Sequence, residues 1–427
     1  MKAVVLTAGE STRLRPLTAT RPKVMLPIAN RPVLEHVLLA LRGGGVREVV
    51  LVTGYRCEMV EGYFGNGERL GLDLTYVRQE KLVGTANALG SAERYVEGEY
   101  FLLVYGDLYV DASLVKSLVQ KHAETGLACM AVVPVENPQQ YGIVRLEDGF
   151  VKGIFEKTKA GGNIGNLANA GIYVLPREVF GAVSETSSSP RGEFELTDSL
   201  QLLIKRGVSV VTSLVDPSCW LDLGRPWDLL EANERSLKNA DLKVEGTVEP
   251  GATLVGDVGI GAGARVRSGS YIEGSVLIGE GSDIGPNCYI RPFTSIGRNV
   301  RVGNACEVKA SIILDGTHIG HLSYVGDSII GENCNLGAGT VTANLRFDDG
   351  TVKVMVKGEL VDSGRRKLGA ILGDGVKTGI GVNLMPGVKV GAGAWIGPSA
   401  VVYRDVGDGA FVVHKPDLDF LRVTDKT

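Results

Sequence analysis

Two short segments near the start of the 427-residue chain combine small residues with isolated cations. The run Leu6-Thr7-Ala8-Gly9-Glu10-Ser11-Thr12-Arg13 follows an apolar stretch. Ala8 and Gly9 let a backbone come close to phosphate groups, and Arg13 adds positive charge there. Further on, Arg21-Pro22-Lys23-Val24-Met25-Leu26-Pro27 sets a lysine between prolines, a placement suited to a phosphoryl group in transfer. Neither segment is GxGxxG or a Walker A loop, which argues against hydride transfer and ATP hydrolysis. Two acids stand at expected strand ends, Asp107 in Tyr105-Gly106-Asp107 and Asp222 in Trp220-Leu221-Asp222-Leu223-Gly224. Such a pair can hold one Mg²⁺. An aspartate at a strand end is also a common helix cap.

The second half offers different chemistry. In His321-Leu322-Ser323-Tyr324-Val325-Gly326-Asp327 a histidine breaks an otherwise regular aliphatic pattern, which makes it a candidate general base. Arg291 and Lys309 are 18 residues apart. In the repeat described below they stack on successive coils, where two cations can hold a sugar phosphate. His318 and His321 spell HxxH, but a repeat coil does not supply the helical spacing of a zinc motif.

The first half must position its residues by alternating strands and helices. Residues 4–7, 48–53, 74–78, 100–105 and 129–134 read as strands. Residues 33–41, 86–93 and 114–124 read as helices. That alternation predicts an open, mostly parallel α/β sheet, whose ligands sit at strand carboxyl ends. Residues 184–189 before Pro190 read as a loop, and 226–239 as a helix leaving the domain.

The second half is a repeat. Steps of six from Val248 reach Leu254, Ile260, Val266, Ile272, Ile278, Ile284, Ile290, Ile296, Val302, Val308 and Leu314, all aliphatic. A second run covers Leu372, Thr378, Leu384, Val390, Ile396 and Val402. This period predicts a triangular β-helix with one inward side chain per side. The four-on position takes small residues, and Cys288, Cys306 and Cys334 occupy it, so these thiols are read as packing. The register is expected to slip near residues 328–330. Residues 345–368 break the repeat, and Asp349-Gly350 suggests a hairpin there.

Together the first-half residues resemble the sugar-1-phosphate nucleotidylyltransferase family over about residues 1–235. By that resemblance Gln79 with Gly84-Thr85-Ala86 recognises the base, and Ala8, Gly9 and Gly106 let backbone approach the nucleotide. Tyr105, Tyr141-Gly142, Glu156-Lys157 and Asn169-Ala170-Gly171 line the sugar-phosphate site. Asp107 and Asp222 match the metal aspartates, while Arg13 and Lys23 stabilise charge during in-line attack on the α-phosphorus. Ser11 and Thr158 depart from the family, which has glycine and proline there. The second half resembles the acetyltransferase half of bifunctional GlcNAc-1-phosphate uridylyltransferases, and their archaeal relatives most. This implies an α/β, Rossmann-like nucleotidyltransferase domain followed by a left-handed parallel β-helix. It also implies that His321 deprotonates the amine of glucosamine-1-phosphate for attack on acetyl-CoA. Arg291 and Lys309 would hold the phosphate, and Tyr324, Asn335 and Asn344 orient the sugar. Bacterial members carry a lysine where Gly350 stands, and Lys353 is the expected substitute. The Arg365-Arg366-Lys367 cluster is either a CoA-phosphate contact or solvated surface.

The expected partners are UTP or dTTP, a sugar-1-phosphate, acetyl-CoA and Mg²⁺. The expected domains are 1–235 and 236–427, in a homotrimer built on the prism. Two other readings fit the layout: a monofunctional nucleotidylyltransferase with a structural prism, and a non-catalytic subunit like those of translation-initiation exchange factors. Net charge is −4, with no basic stripe for nucleic acid. No apolar run reaches a membrane span, and the six scattered cysteines form no CxxC, so a cytoplasmic protein is expected. Glycine is 58 of 427 residues; 25 fall in residues 1–245 and 33 in the remaining 182, a step that marks the change of architecture.

Overall fold

The computed structural model describes residues 1–155, 165–190 and 192–415. The chain forms two compact units: residues 1–14 with 20–232, and residues 15–19 with 233 onward.

The first unit runs β1 (Ala3–Leu6), α1 (Val33–Gly43), β2 (Glu48–Thr53), α2 (Cys57–Phe64), β3 (Asp73–Arg78), α3 (Thr85–Ser91), β4 (Tyr100–Tyr105), β5 (Leu108–Val110), α4 (Ala112–Thr125), β6 (Ala128–Pro134), β7 (Ile143–Glu147), β8 (Phe150–Phe155), β9 (Leu167–Pro176), α5 (Val179–Glu185), α6 (Leu196–Lys205), β10 (Val210–Leu214) and β11 (Trp220–Asp222). The main sheet has the order β3-β2-β1-β4-β9-β6-β10-β8-β7. Every residue of β1 is buried, as a strand covered on both faces requires. Its side chains alternate between two cores: Ala3 and Val5 join one, Val4 and Leu6 the other. The helix α1 buries Val33, Leu34, Val37, Leu38 and Leu41, the stripe of a 3.6-residue period. The helix α4 begins where the Asp111 side chain accepts Ser113 N–H, and ends at Gly126 with φ 68°.

One expectation needs correction. The sheet is mixed rather than mostly parallel. Strands β3, β2, β1 and β4 are parallel, but β9 runs antiparallel to both β4 and β6, and β8 is antiparallel to β7 and β10. The parallel part places the carboxyl ends of β1 and β4 side by side, with Leu6 opposite Tyr105.

The second unit is a parallel β-helix with three faces. The first face stacks Thr247–Val248, Arg265–Val266, Asp283–Ile284, Arg301–Val302, His318–Ile319, Asn335–Leu336, Lys377–Thr378, Trp395–Ile396 and Phe411–Val412. The second stacks Thr253–Val255, Tyr271–Glu273, Tyr289–Ile290, Glu307–Lys309, Tyr324–Gly326, Val341–Thr342, Asn383–Leu384 and Val401–Val402. The third stacks Val258–Ile260, Val276–Ile278, Ser295–Ile296, Ile312–Ile313, Ile329–Ile330, Ile371–Leu372 and Lys389–Val390. The inward aliphatic residues form one core column. Thr342 and Thr378 are the polar exceptions; the Thr378 hydroxyl meets Thr340 Oγ1 at 2.8 Å and accepts Gly337 N–H at 3.0 Å. Cys288, Cys306 and Cys334 are buried and without disulfides, and burial raises each thiol, Cys288 and Cys334 to about 12.

The step of six fails earlier than the sequence suggested. Ser295 pairs with Ile312, so Ile313 and not Leu314 joins the core column. The step from Val308 to Ile313 is five residues, and that from Val325 to Ile330 is five again. Both short corners lie between the second and third faces, at Ala310 (φ 45°) and Asp327 (φ 49°). The same edge carries the insertion, closed at its base by a Leu345–Lys367 bridge. Its hairpin pairs Lys353–Val356 with Glu359–Asp362. The turn is Lys357-Gly358, both with positive φ, and not Asp349-Gly350.

Candidate active sites

In the first unit, Arg13 follows β1 on a short 3₁₀ turn, and Lys23 opens another directly after Pro22. Lys23 is 3 % exposed, and its Nζ donates to Asp107 Oδ2 at 2.7 Å. Asp107 connects β4 to β5. The partner of β5 is β11, which sets Asp222 opposite Leu108, one residue from Asp107. A β-carbon added to Gly224 would lie 3.4 Å from Asp222 Oδ2 and 3.6 Å from Arg13 Nη1, so both groups flank that glycine. A third acid completes the cluster. Asp228 Oδ2 accepts the Arg225 N–H at 2.7 Å. Burial first, and the Asp222 charge second, push Asp228 up to about 7, while Arg225 and Lys23 pull the other way.

The surrounding residues have defined polarity. Gln79 is buried, and its Nε2 donates to Gly84 O at 3.1 Å and to Asn87 Oδ1 at 2.8 Å. Both amide hydrogens are thereby occupied, so its carbonyl is the end offered to a ligand. Gly84 has φ 121°, and a β-carbon there would meet Phe194 N at 2.6 Å. Thr85 Oγ1 accepts Leu196 N–H at 2.9 Å. At Gly106 a β-carbon would meet Thr7 at 2.6 Å, whereas at Gly9 it would meet nothing within 4 Å. Ala8 O accepts Tyr55 N–H at 3.1 Å.

Beyond the acids, Tyr141 lies 5.8 Å from Trp220, and burial followed by Asp222 raises its phenol. Gly142 O accepts Asn169 N–H at 2.8 Å. Asn169 Oδ1 accepts from Gly171 N at 3.1 Å and Tyr173 Oη at 2.8 Å, which leaves its amide as the donor end. Tyr105 packs edge-on against Tyr173 at 6.2 Å.

In the prism, His321 is exposed at the corner between the first and second faces. Its backbone carbonyl accepts from Gly339 N and Ser323 Oγ, both at 2.9 Å. Asn335 stands exposed on the first face, in register with His318. Across the second face lies a hydrogen-bonded group. Asn344 Nδ2 donates to Tyr324 Oη at 3.0 Å and to Asp327 Oδ2 at 2.6 Å. Lys309 Nζ donates to Asp327 Oδ2 at 3.0 Å. Arg291 lies over the Tyr289 ring at 5.5 Å, and its Nη1 donates to Glu307 Oε1 at 2.8 Å. Gly326 makes the Tyr324–Asn344 bond possible, because a β-carbon there would fall 2.7 Å from Tyr324 Cζ and 2.8 Å from Asn344 Nδ2.

Residues 2–239 match the nucleotidyl transferase family, and residues 272–385 match the GMPPB C-terminal domain. The bifunctional protein GlmU of Methanocaldococcus jannaschii is 43% identical over 424 residues, 99% of this chain and 100% of that one. The chain belongs to the bifunctional GlmU family. Another member, the bifunctional sugar-1-phosphate nucleotidylyltransferase/acetyltransferase of Sulfurisphaera tokodaii, is 41% identical over 96% of this chain and 99% of its own. Among solved structures, a candidate glucose-1-phosphate thymidylyltransferase from Bacillus anthracis, solved with sucrose, aligns with 55% of this chain and 94% of its own at TM-score 0.50 and 28% identity.

As a GlmU-family enzyme the chain joins a nucleotidyltransferase to an acetyltransferase. Of the residues named from sequence, the structure gathers Arg13, Lys23, Asp107 and Asp222 at one site, with Tyr141 beside them. In the prism it gathers Lys309, Tyr324 and Asn344. Lys353 lies on the inserted hairpin, its backbone opposite Asp362, outside the hydrogen-bonded group around Asn344. Arg291 and Lys309 each already face a carboxylate, which the spacing of 18 did not disclose. Glu156 and Lys157 lie outside the described residues. Asp228, Asp327 and Gly326 were missed. For Asp228 the available signal was an acid two residues after Pro226, where a helix's first turn reaches back to a capping N–H.

Proposed function

We propose that the protein makes a nucleotide sugar in two steps. The second unit N-acetylates glucosamine-1-phosphate with acetyl-CoA. The first unit transfers UMP from UTP to GlcNAc-1-phosphate and releases pyrophosphate. The observation that carries this reading is the pair of buried Lys23 and partly exposed Asp107 beside Asp222 at the strand ends. It sets a fixed cation and two carboxylates together, the equipment for phosphoryl transfer without a covalent intermediate.

Mg²⁺ fits this donor set. Asp107 and Asp222 supply the one or two carboxylates that Mg²⁺ uses, leaving its other positions to water and phosphate. When bound, the ion would neutralise charge on the phosphates. Arg13 and Lys23 would hold the triphosphate, and the Gln79 carbonyl would accept an N3–H, as uracil and thymine offer. The amide of Asn169, with Tyr105, Tyr141, Gly142, Glu156 and Lys157, would hold the sugar phosphate.

In the prism, His321 is the base for the sugar amine. Asn335, Tyr324 and Asn344 orient the sugar, and Arg291 and Lys309 hold its phosphate. A homotrimer in the cytoplasm is the expected working form. A second reading, a sugar-1-phosphate nucleotidylyltransferase with a purely structural prism, draws on the ion pairs already formed by Arg291 and Lys309.

The deciding experiment is a matrix of sugar-1-phosphates against UTP and dTTP, with and without acetyl-CoA, in wild type and His321→Ala. Thiol release that depends on glucosamine-1-phosphate and disappears in His321→Ala is expected. Background thiol release in both proteins would leave the second reading.

A further inference from the structure

Asp327 is the one buried acid among the described residues of the prism, with its side chain 5 % exposed. It sits at the second shortened corner, in the left-handed region at φ 49°. Its carboxylate meets two residues that the proposed reaction uses, Lys309 at 3.0 Å and Asn344 at 2.6 Å. Nothing in the sequence pattern singled it out.

The carboxylate determines the polarity of its neighbours. Facing Lys309, it is an acceptor only, so Asn344 must turn its NH₂ toward it. The second hydrogen of that NH₂ goes to Tyr324 Oη at 3.0 Å. Two results follow. The Asn344 carbonyl is directed away from the protein group as an acceptor. The Tyr324 oxygen, already accepting, keeps its own O–H as a donor. Without the carboxylate the amide could invert, and Tyr324 would turn its proton inward.

We infer that Asp327 is a positioning residue for acetyl transfer, one that fixes Asn344 as an acceptor and Tyr324 as a donor and holds Lys309 extended. The inference rests on the acetyltransferase reading above. An outward acceptor suits the hydrogens of a sugar amine or hydroxyl. An outward O–H suits a phosphate oxygen or a thioester carbonyl. An amide in place of the carboxylate can present either end, so Asp327→Asn removes the polarity while keeping the shape.

The test uses full-length protein and measures thiol release from acetyl-CoA against glucosamine-1-phosphate, with pyrophosphate release and circular dichroism in parallel. Asp327→Asn is expected to lower kcat/KM for acetyl transfer at least tenfold, with pyrophosphate release within twofold of wild type. Combined with Asn344→Ala, its effect should be clearly smaller than in the wild-type background, because the two act through one hydrogen bond. Tyr324→Phe removes the outward donor without touching the buried acid and should also lose at least fivefold. Acetyl transfer within twofold of wild type in Asp327→Asn overturns the inference, as does full additivity with Asn344→Ala. If Asp327→Asn does not fold, wild-type activity in Tyr324→Phe overturns it. Absence of acetyl transfer in the wild-type protein would instead refute the acetyltransferase reading itself.

Discussion

Gly326→Ala isolates geometry from stability. The backbone of Gly326 lies outside the left-handed region, so alanine fits the conformation without strain. The added β-carbon would stand 2.7 Å from Tyr324 Cζ and 2.8 Å from Asn344 Nδ2. Ordinary contact is near 3.5 Å, so the tyrosine end must retreat by about 1 Å. Both neighbours are side-chain ends at a half-exposed surface, so they can move at little cost to folding. What is lost is the 3.0 Å bond between them. A bond of that kind contributes about 0.5–1.5 kcal/mol, roughly two- to twelvefold in rate. A displacement of about 1 Å in a positioning group can cost up to about a hundredfold. The expected result is therefore a fall of about ten- to a hundredfold in kcat/KM for acetyl transfer, measured by thiol release. The thermal midpoint should move by less than about 2 °C and pyrophosphate release not at all. Acetyl transfer within twofold of wild type would refute the role given to the Tyr324–Asn344 contact. An equal fall in both activities would show that the variant acts through stability.

Three other outcomes are expected. Lys23→Ala should lower pyrophosphate release at least tenfold with acetyl transfer intact; unchanged release would remove Lys23 from the mechanism. In metal-free protein, Asp228 keeps a proton up to about pH 7 that the unfolded chain releases near its ordinary value of 3.8. Stability should therefore fall as pH rises from about 4 to 7, by on the order of a few kcal/mol, and level off above. Asp228→Asn should flatten that slope in a melting series, and parallel curves for the two proteins would contradict it. Thr378→Val should destabilise the prism by about 1 kcal/mol, because it strips a partner from the Thr340 hydroxyl and the Gly337 N–H. A rise in denaturation midpoint would show that a better-filled core outweighs the lost bonds.

Much of the prism was legible because each face contributes one inward side chain, and a period of six is unlike either regular element. The slips were hidden by chemistry. Ile312-Ile313-Leu314 are three aliphatic residues in a row, so a shift of one residue leaves no polar residue at the inward position. The hairpin turn was misplaced for a related reason. Asp349 and Lys357 both adopt positive φ before a glycine, and only strand pairing across Lys353–Val356 and Glu359–Asp362 chooses between them. In the first unit, Arg13, Lys23, Asp107 and Asp222 stood out by residue type and position. The direction of β9 did not, since a ten-residue strand that is apolar apart from Asn169 packs equally well either way along a sheet. Asp327 was invisible because its importance comes from neighbours 17 or 18 residues distant in sequence.

The uneven corners share one line. Steps from the first face to the second, and from the third to the first, keep six residues throughout. Between the second face and the third the step is six for three coils, then five, five again, thirty across the insertion from Thr342 to Leu372, six from Leu384 to Val390, and four from Val402 to Val406, which pairs with Val390. One edge of the prism is therefore a seam that absorbs changes in length. Ladder hydrogen bonds close the coils on either side of it, so residues gained or lost there leave the register of all three faces untouched. New loops could be grafted along this seam without redesigning the solenoid, and a lineage could vary its substrates there by insertion rather than by substitution.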